Sequence, residues 1–216
     1  MKIYDISQEV FSSCVYPGDP EPSKNTLCSI EKGDLYNLTS FSMCAHNGTH
    51  IDAPSHFIKD GKTIGEMDLE KMTGYCFVVE FCGDVTKEDA KSILKKVSER
   101  AKKRILIKGD ATVTKEAALV FATEKIYLLG NESQSVGPID APMEVHKILL
   151  SEEIVLLEGI RLNEVPCGEY FLSAAPISRR RAIRTRLKPL KNVFFFVVGF
   201  DIPRIIKTFR LEKIQF

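Results

Sequence analysis

Residues 75–82 read YCFVVEFC and residues 104–108 read RILIK. Both runs have the length of a buried strand and are bounded by charged or turn-forming residues. Between them Thr86, with Asp89 three positions on, makes a capping box and predicts a helix running through Arg100. Strand and helix keep alternating downstream. Thr114 caps a second helix through Glu124, which leads into a strand from Ile126 to Leu129. Pro142 to Leu150 reads as helix, Ile154 to Glu158 (IVLLE) as strand, and Tyr170 to Ala174 as one strand more. Upstream the texture differs. Residues 2–6 (KIYDI) predict a short strand, and Tyr16-Pro17-Gly18-Asp19-Pro20 with Glu21-Pro22 a rigid loop. Residues 24–30 and 35–44 are β-prone, Asp60-Gly61 is a turn, and 67–73 a short helix that stops at Gly74. An antiparallel first half followed by βα units predicts an α/β single domain, with a mixed β-sheet and flanking helices.

Composition agrees with that class. The 216 residues are 44% hydrophobic and 27% charged, ordinary for a globular protein with a substantial core. No signal-like apolar run opens the chain, and none approaches the ~18 residues of a membrane span. A cytoplasmic location is the expectation. Six cysteines at positions 14, 28, 44, 76, 82 and 167 include no Cys-x-x-Cys pair and are too few for a disulfide scaffold. Most read as small apolar residues of the interior. Cys44, two positions before His46, could share the face of that histidine, with a structural role still the expectation.

Charge divides the chain. Residues 179–216 hold eleven Lys or Arg and two acidic residues, a balance of +9, against −8 for residues 1–178. This separates a domain over 1–178 from an atypical tail over 179–216. The tail runs from Arg179-Arg180-Arg181 through Lys188 and Lys191 into an apolar stretch, Val193 to Phe200. A shifted reading frame would leave such an ending. It also reads as a basic arm, but no nucleic-acid module accompanies it, and neither nucleic acid nor membrane is expected as a partner. The apolar stretch reads as an edge strand or an association surface.

Three of the four histidines lie within eleven positions, in His46-Asn47-Gly48-Thr49-His50-Ile51-Asp52-Ala53-Pro54-Ser55-His56. On one extended strand the even spacing of His46, His50 and Asp52 puts them on a common face. Two imidazoles and a carboxylate there suit a divalent metal, zinc first and manganese second. A polar strand end with exposed histidines is the alternative. Pro54 ends the alternation and sets His56 just beyond, where an acid or base would serve. Taken alone, His146 reads as a structural histidine and Glu158 as the polar end of a buried strand.

The pattern His46-x-Gly-Thr-His50-x-Asp52-Ala-Pro-x-His56 resembles the signature of the cyclase family of metal-dependent hydrolases, which includes kynurenine formamidases (arylformamidases) and is related to isatin hydrolases. Tyr4-Asp5-Ile6-Ser7, Tyr16 to Pro20, Gly109-Asp110, Leu129-Gly130, Ser135-Val136 and Tyr170-x-Leu172 extend the likeness as far as Pro176. The resemblance implies a swivelling β/β/α (cyclase-like) fold and a homodimer. It implies one or two divalent ions, Zn2+ or Mn2+, held by His46, His50, Asp52, His146 and Glu158, with both carboxylates able to bridge. His56 matches the general acid/base that relays a proton while metal-activated hydroxide attacks an amide carbonyl. The implied reaction converts N-formylkynurenine to kynurenine and formate; hydrolysis of cyclic amides or lactones is the alternative. A catalytically impaired metal-binding protein with a basic interaction tail is an alternative of another class. Tyr16 falls where formamidases have a substrate-contacting Trp, and reads equally as a residue packing in its loop. Gly137 replaces an acidic residue of the family pattern, and the ending departs from the family's Gly-Asp-Gly-rich turn.

Overall fold

The computed structural model describes residues 2–176 and 198–201. In chain order the strands are β1 (Ile3–Asp5), β2 (Ser23–Cys28), β3 (Leu38–Ser42), β4 (His50–Asp52), β5 (Thr73–Glu80), β6 (Gly83–Val85), β7 (Arg104–Lys108), β8 (Ala111–Val113), β9 (Leu128–Asn131), β10 (Val155–Glu158), β11 (Gly168–Ser173) and β12 (Val198–Asp201). The helices are α1 (Leu69–Met72), α2 (Lys87–Lys96), α3 (Lys115–Thr123) and α4 (Met143–Ser151). The main sheet has the order β1-β12-β11-β5-β7-β9-β10-β4. β5, β7, β9 and β10 are parallel, while β4, β11 and β12 run antiparallel to their neighbours. This is the mixed α/β architecture read from the sequence.

Each step from β5 to β10 moves one strand further in the same direction, with a helix between. Right-handed crossovers then place α2, α3 and α4 on one face. Buried residues of these helices, among them Ile93, Phe121 and Leu149, pack with Ile105, Ile107, Leu129 and Leu156 of the sheet. The alternate residues Leu106, Leu128, Val155 and Leu157 face the other way, against Ile51, Ile64, Met72 and Leu162. The period-two alternation of a strand thus feeds two cores, which is why the central strands read as continuous apolar runs.

Helix boundaries follow local chemistry. Thr86 and Asp89 form the expected capping box at α2, and the Thr114 side chain accepts from the Ala117 amide at α3. α2 ends at Lys96, earlier than Arg100. Val97 turns extended and is buried, and Ser98 starts a new turn by accepting from the Ala101 and Lys102 amides. The strand expected from Ile126 is displaced to Leu128 because Lys125 takes a left-handed conformation, φ 50°.

Two features lie apart from the main core. β2 and β3 form a two-stranded ribbon that is exposed along nearly its whole length, with Leu35, Tyr36 and Phe41 open to solvent. At the other end, β12 pairs with both β1 and β11. Val198–Asp201 therefore takes an interior place in the sheet rather than an edge. The basic stretch 179–191 and the apolar residues 193–197 lie outside the described residues.

Candidate metal centre

The centre is built where β4 meets β10. Register pairs Glu158 with His50, Leu157 with Ile51 and Leu156 with Asp52. Opposed residues share a face, so His50, Glu158 and Asp52 point to the helix side while Ile51 and Leu157 enter the opposite core. On that side α4 delivers His146. Its Nε2 lies 3.1 Å from Glu158 Oε1 and 3.6 Å from Asp52 Oδ2. His50 Nε2 lies 3.3 Å from Glu158 Oε2 and 3.8 Å from Asp52 Oδ1.

His46 arrives differently from its expected place on the strand. β4 begins only at His50, and His46 sits in the turn before it. Gly48 at φ 64° breaks the extended backbone, and the Asn47 amide closes the turn onto the Cys44 carbonyl at 3.2 Å. The turn brings His46 Nδ1 to 3.3 Å from Asp52 Oδ1. Even spacing therefore accounts for His50 and Asp52, and a glycine turn accounts for His46. Cys44 takes no part: its thiol donates to Asp19 Oδ2 at 3.2 Å.

His56 lies on a single 3-10 turn, Pro54–His56, with its Nε2 3.6 Å from Asp52 Oδ2. Its side chain is 24% exposed, whereas Asp52 and Glu158 are 1–2% exposed. The rings of His46 and Phe57 each lie 4.3 Å from that of His56, centroid to centroid. Phe57 also stacks against His146 at 4.8 Å, an apolar wedge with no signal in the sequence. Tyr16 makes its hydrogen bond elsewhere, donating from its hydroxyl to the Ile139 carbonyl at 2.7 Å.

Two sets of donor atoms emerge, His46/His50/Asp52 and Asp52/His146/Glu158, each with its atoms within 4.8 Å of one another and with Asp52 in common. The arrangement demands a cation. His50 Nδ1 donates to the Gly48 carbonyl at 3.0 Å, and His146 Nδ1 to the Pro142 carbonyl at 2.8 Å. A carbonyl only accepts, so both Nε2 atoms are left to face carboxylates. His50 Nε2 is buried without a hydrogen bond. Neutral imidazoles in these tautomers would set lone pairs against anions, which low-dielectric surroundings make unfavourable. Either protons or metal ions must lie between. Without metal, protons do so. Burial opposes the charged form of His146, but the Asp52 and Glu158 carboxylates outweigh it and push its pKa up to about 10. The same contest raises His50 to about 9. Burial likewise works against ionised Asp52, yet His146 and His46 hold its pKa well below the usual carboxylate range. His56 goes the other way: burial lowers it to about 4, with the neighbouring imidazoles adding to the fall and Asp52 opposing it. His56 is therefore neutral near pH 7. Nitrogen and carboxylate donors in two sets with a shared carboxylate fit one or two divalent transition ions.

Comparison with known proteins supports the same class. The kynurenine formamidase of Erythrobacter litoralis (strain HTCC2594) is 29% identical over 192 residues, covering 82% of this chain and 87% of that protein. A solved structure described as a potential metal-dependent hydrolase with cyclase activity is 25% identical, with a TM-score of 0.75, over 93% of this chain and 98% of that one. Isatin hydrolase A from Labrenzia aggregata shares the fold at a TM-score of 0.70 and 19% identity, over 92% and 93% of the two chains. The Cyclase family model matches residues 4–138, a span that holds the whole histidine segment. With the donor cluster at the β4–β10 junction and this match over most of its length, the chain belongs to the cyclase family of hydrolases.

Proposed function

We propose that this chain is a metal-dependent amidohydrolase that cleaves an aryl formamide, N-formylkynurenine first, to the free arylamine and formate. The observation that carries the reading is the buried convergence of Asp52 and Glu158 with two imidazoles whose Nδ1 protons are already committed to backbone carbonyls. His46, His50, Asp52, His146 and Glu158 would hold the metal, with Zn2+ or Mn2+ as the occupant. A bound divalent ion supplies Lewis acidity toward the carbonyl and lowers the pKa of water.

The protein's own groups do the rest. His56, neutral and partly exposed, accepts the proton as water adds to the formyl carbon. It then returns that proton to the departing nitrogen as the C–N bond breaks. Asp52, 3.6 Å from His56 Nε2, orients the ring and favours its transient charged form. Tyr16 supplies an aromatic wall to the substrate in this reading.

Two measurements test it. Metal analysis after reconstitution should find at least one divalent ion per folded chain; less would overturn the metal centre. His56→Ala should retain the metal and lower turnover by roughly 10²–10⁴-fold, the usual size of an acid/base contribution. Unchanged turnover would remove its role. Cyclic amides and lactones are the second substrate class. The fold shared with isatin hydrolase A supports it. Parallel assays on N-formylkynurenine, isatin and simple lactones separate the two. Metal retention with no hydrolysis of any of them would favour an impaired, binding-only protein.

We further assign residues 1–178 to the hydrolase domain and 179–216 to a segment of distinct composition, of which Val198–Asp201 adds a strand to the domain's sheet. A homodimer is proposed on the family resemblance, and the exposed Leu27, Leu38 and Phe41 of the β2–β3 ribbon, with Leu35 and Tyr36 of its connecting loop, support it; a monomer by light scattering would overturn it. Cytoplasmic placement is supported by six cysteines that are all unpaired. No helix among the described residues is long and apolar enough to cross a membrane.

A further inference from the structure

Gln8 lies far from the donor residues in sequence, yet its side chain and backbone reach the flanks of two of them. Its Nε2 donates to the Gly159 carbonyl at 2.7 Å, immediately after Glu158. Its backbone amide donates to Thr49 Oγ1 at 2.9 Å, immediately before His50. Thr49 Oγ1 in turn donates to the same Gly159 carbonyl at 2.7 Å and is buried. The far end of the Gln8 amide, Oε1, accepts from the Cys14 amide at 2.9 Å. The Cys14 carbonyl accepts from the Gly48 amide at 2.9 Å, and the Gly48 carbonyl accepts from His50 Nδ1 at 3.0 Å.

We infer that Gln8 and Thr49 are positioning residues for the metal centre, clamping the end of the β4–β10 ladder so that His50 and Glu158 keep their separation and His50 keeps its ring orientation. The last registered pair of that ladder is His50 with Glu158, and beyond it no strand pairing holds the two strands together. Gln8 and Thr49 supply the missing cross-links with side chains. The packing leaves no slack. A Cβ on Gly159 would lie 2.7 Å from Gln8 Nε2 and 2.6 Å from Gln134 Nε2, and one on Gly48 would lie 2.8 Å from Ser13 Cβ. The carbonyl that sets the His50 tautomer is thus held from behind by the loop that Gln8 anchors. A bond to the remote nitrogen of a metal-binding imidazole fixes which nitrogen is presented, and loss of such support typically weakens metal affinity 10–100-fold.

This inference rests on the metal reading, and the experiment separates the two. Zinc affinity of the full chain is measured by chelator competition for wild type, Gln8→Ala, Thr49→Val and Thr49→Ser, alongside thermal unfolding of each metal-free protein. Gln8→Ala and Thr49→Val should bind zinc 10–100-fold more weakly, and Thr49→Ser, which keeps the hydroxyl, should bind within about threefold of wild type. If wild type fails to bind zinc, the metal reading falls and the clamp with it. If wild type binds and Thr49→Val matches it, the clamp alone is overturned, whatever happens to its melting temperature. Should Gln8→Ala not fold, the Val and Ser variants at position 49 still decide the matter.

Discussion

Asp52 is the residue on which the centre turns, because it belongs to both donor sets and faces three of the imidazoles within 3.3–3.8 Å, His46, His50 and His146, as well as His56 at 3.6 Å. Its burial with Glu158 makes the metal-free protein sensitive to pH in a definite way. His146 rises from 6.5 to about 10 on folding and His50 to about 9. A raised folded-state pKa means the native state holds its proton more tightly. That stabilisation is complete below pH 6.5 and is lost as the pH climbs through 9 to 10. His56 is lowered to about 4, so the unfolded chain binds its proton more tightly as the pH falls from 6.5 to 4. Asp52 and Glu158, both lowered, lose their contribution on the same acid side. Urea unfolding with a chelator present should therefore show greatest stability near pH 6.5 and a decline by pH 9. Saturating zinc should remove most of the alkaline decline, since the ion replaces the two protons. An alkaline limb unchanged by zinc would contradict the assignment of His50 and His146. Glu158→Gln should abolish tight metal binding: with its amide oxygen kept as acceptor for the Val136 amide at 2.7 Å, the group turned toward His50 is an uncharged NH2 with no free lone pair for a metal.

At the scale of elements, the layered core explains which signals could be read directly. RILIK marks β7 residue for residue, since it is buried on both faces and flanked by turns. Both helix starts at Thr86 and Thr114 were legible from their capping chemistry. The ends were less so, because Val97 is drawn into the core and terminates α2 by a tertiary contact that no local pattern announces. Phe121 on α3 is fully buried within the helix-side core. Phe121→Ala should destabilise the fold by about 3–5 kcal/mol through the cavity it leaves. Calorimetry on the metal-free protein checks this, and zinc affinity of the folded fraction should be unchanged because Phe121 touches none of the donors' hydrogen bonds. A shift in zinc affinity comparable to that of Thr49→Val would show that the helix layer, too, sets the centre.

Across the whole molecule, β12 joins the first strand of the chain to the last part of the family-like region. It fills the space between β1 and β11, where Tyr4 is in register with Gly199 and its ring meets Tyr170 edge-on at 5.8 Å. Ending the chain at residue 178 would strip both neighbours of their backbone partners and expose two sheet edges. Such a protein should melt at lower temperature and self-associate, while retaining all five donor residues. Equal stability of the shortened chain, by thermal unfolding and light scattering, would show that β12 contributes nothing. The division of labour between sequence and structure follows from distance along the chain. The α/β class, the strand–helix alternation and the pairing of His50 with Asp52 are local, set by period, capping and spacing, and the sequence alone determined them. His146 and Glu158 became legible only through family resemblance, because each by itself is an ordinary helix or strand-end residue. Only the tertiary structure could turn His46 in by way of Gly48, seat Phe57 against His146 and bring Gln8 across to Gly159. Those contacts join segments up to 151 positions apart, and their free energy exists only once the sheet has brought the segments together.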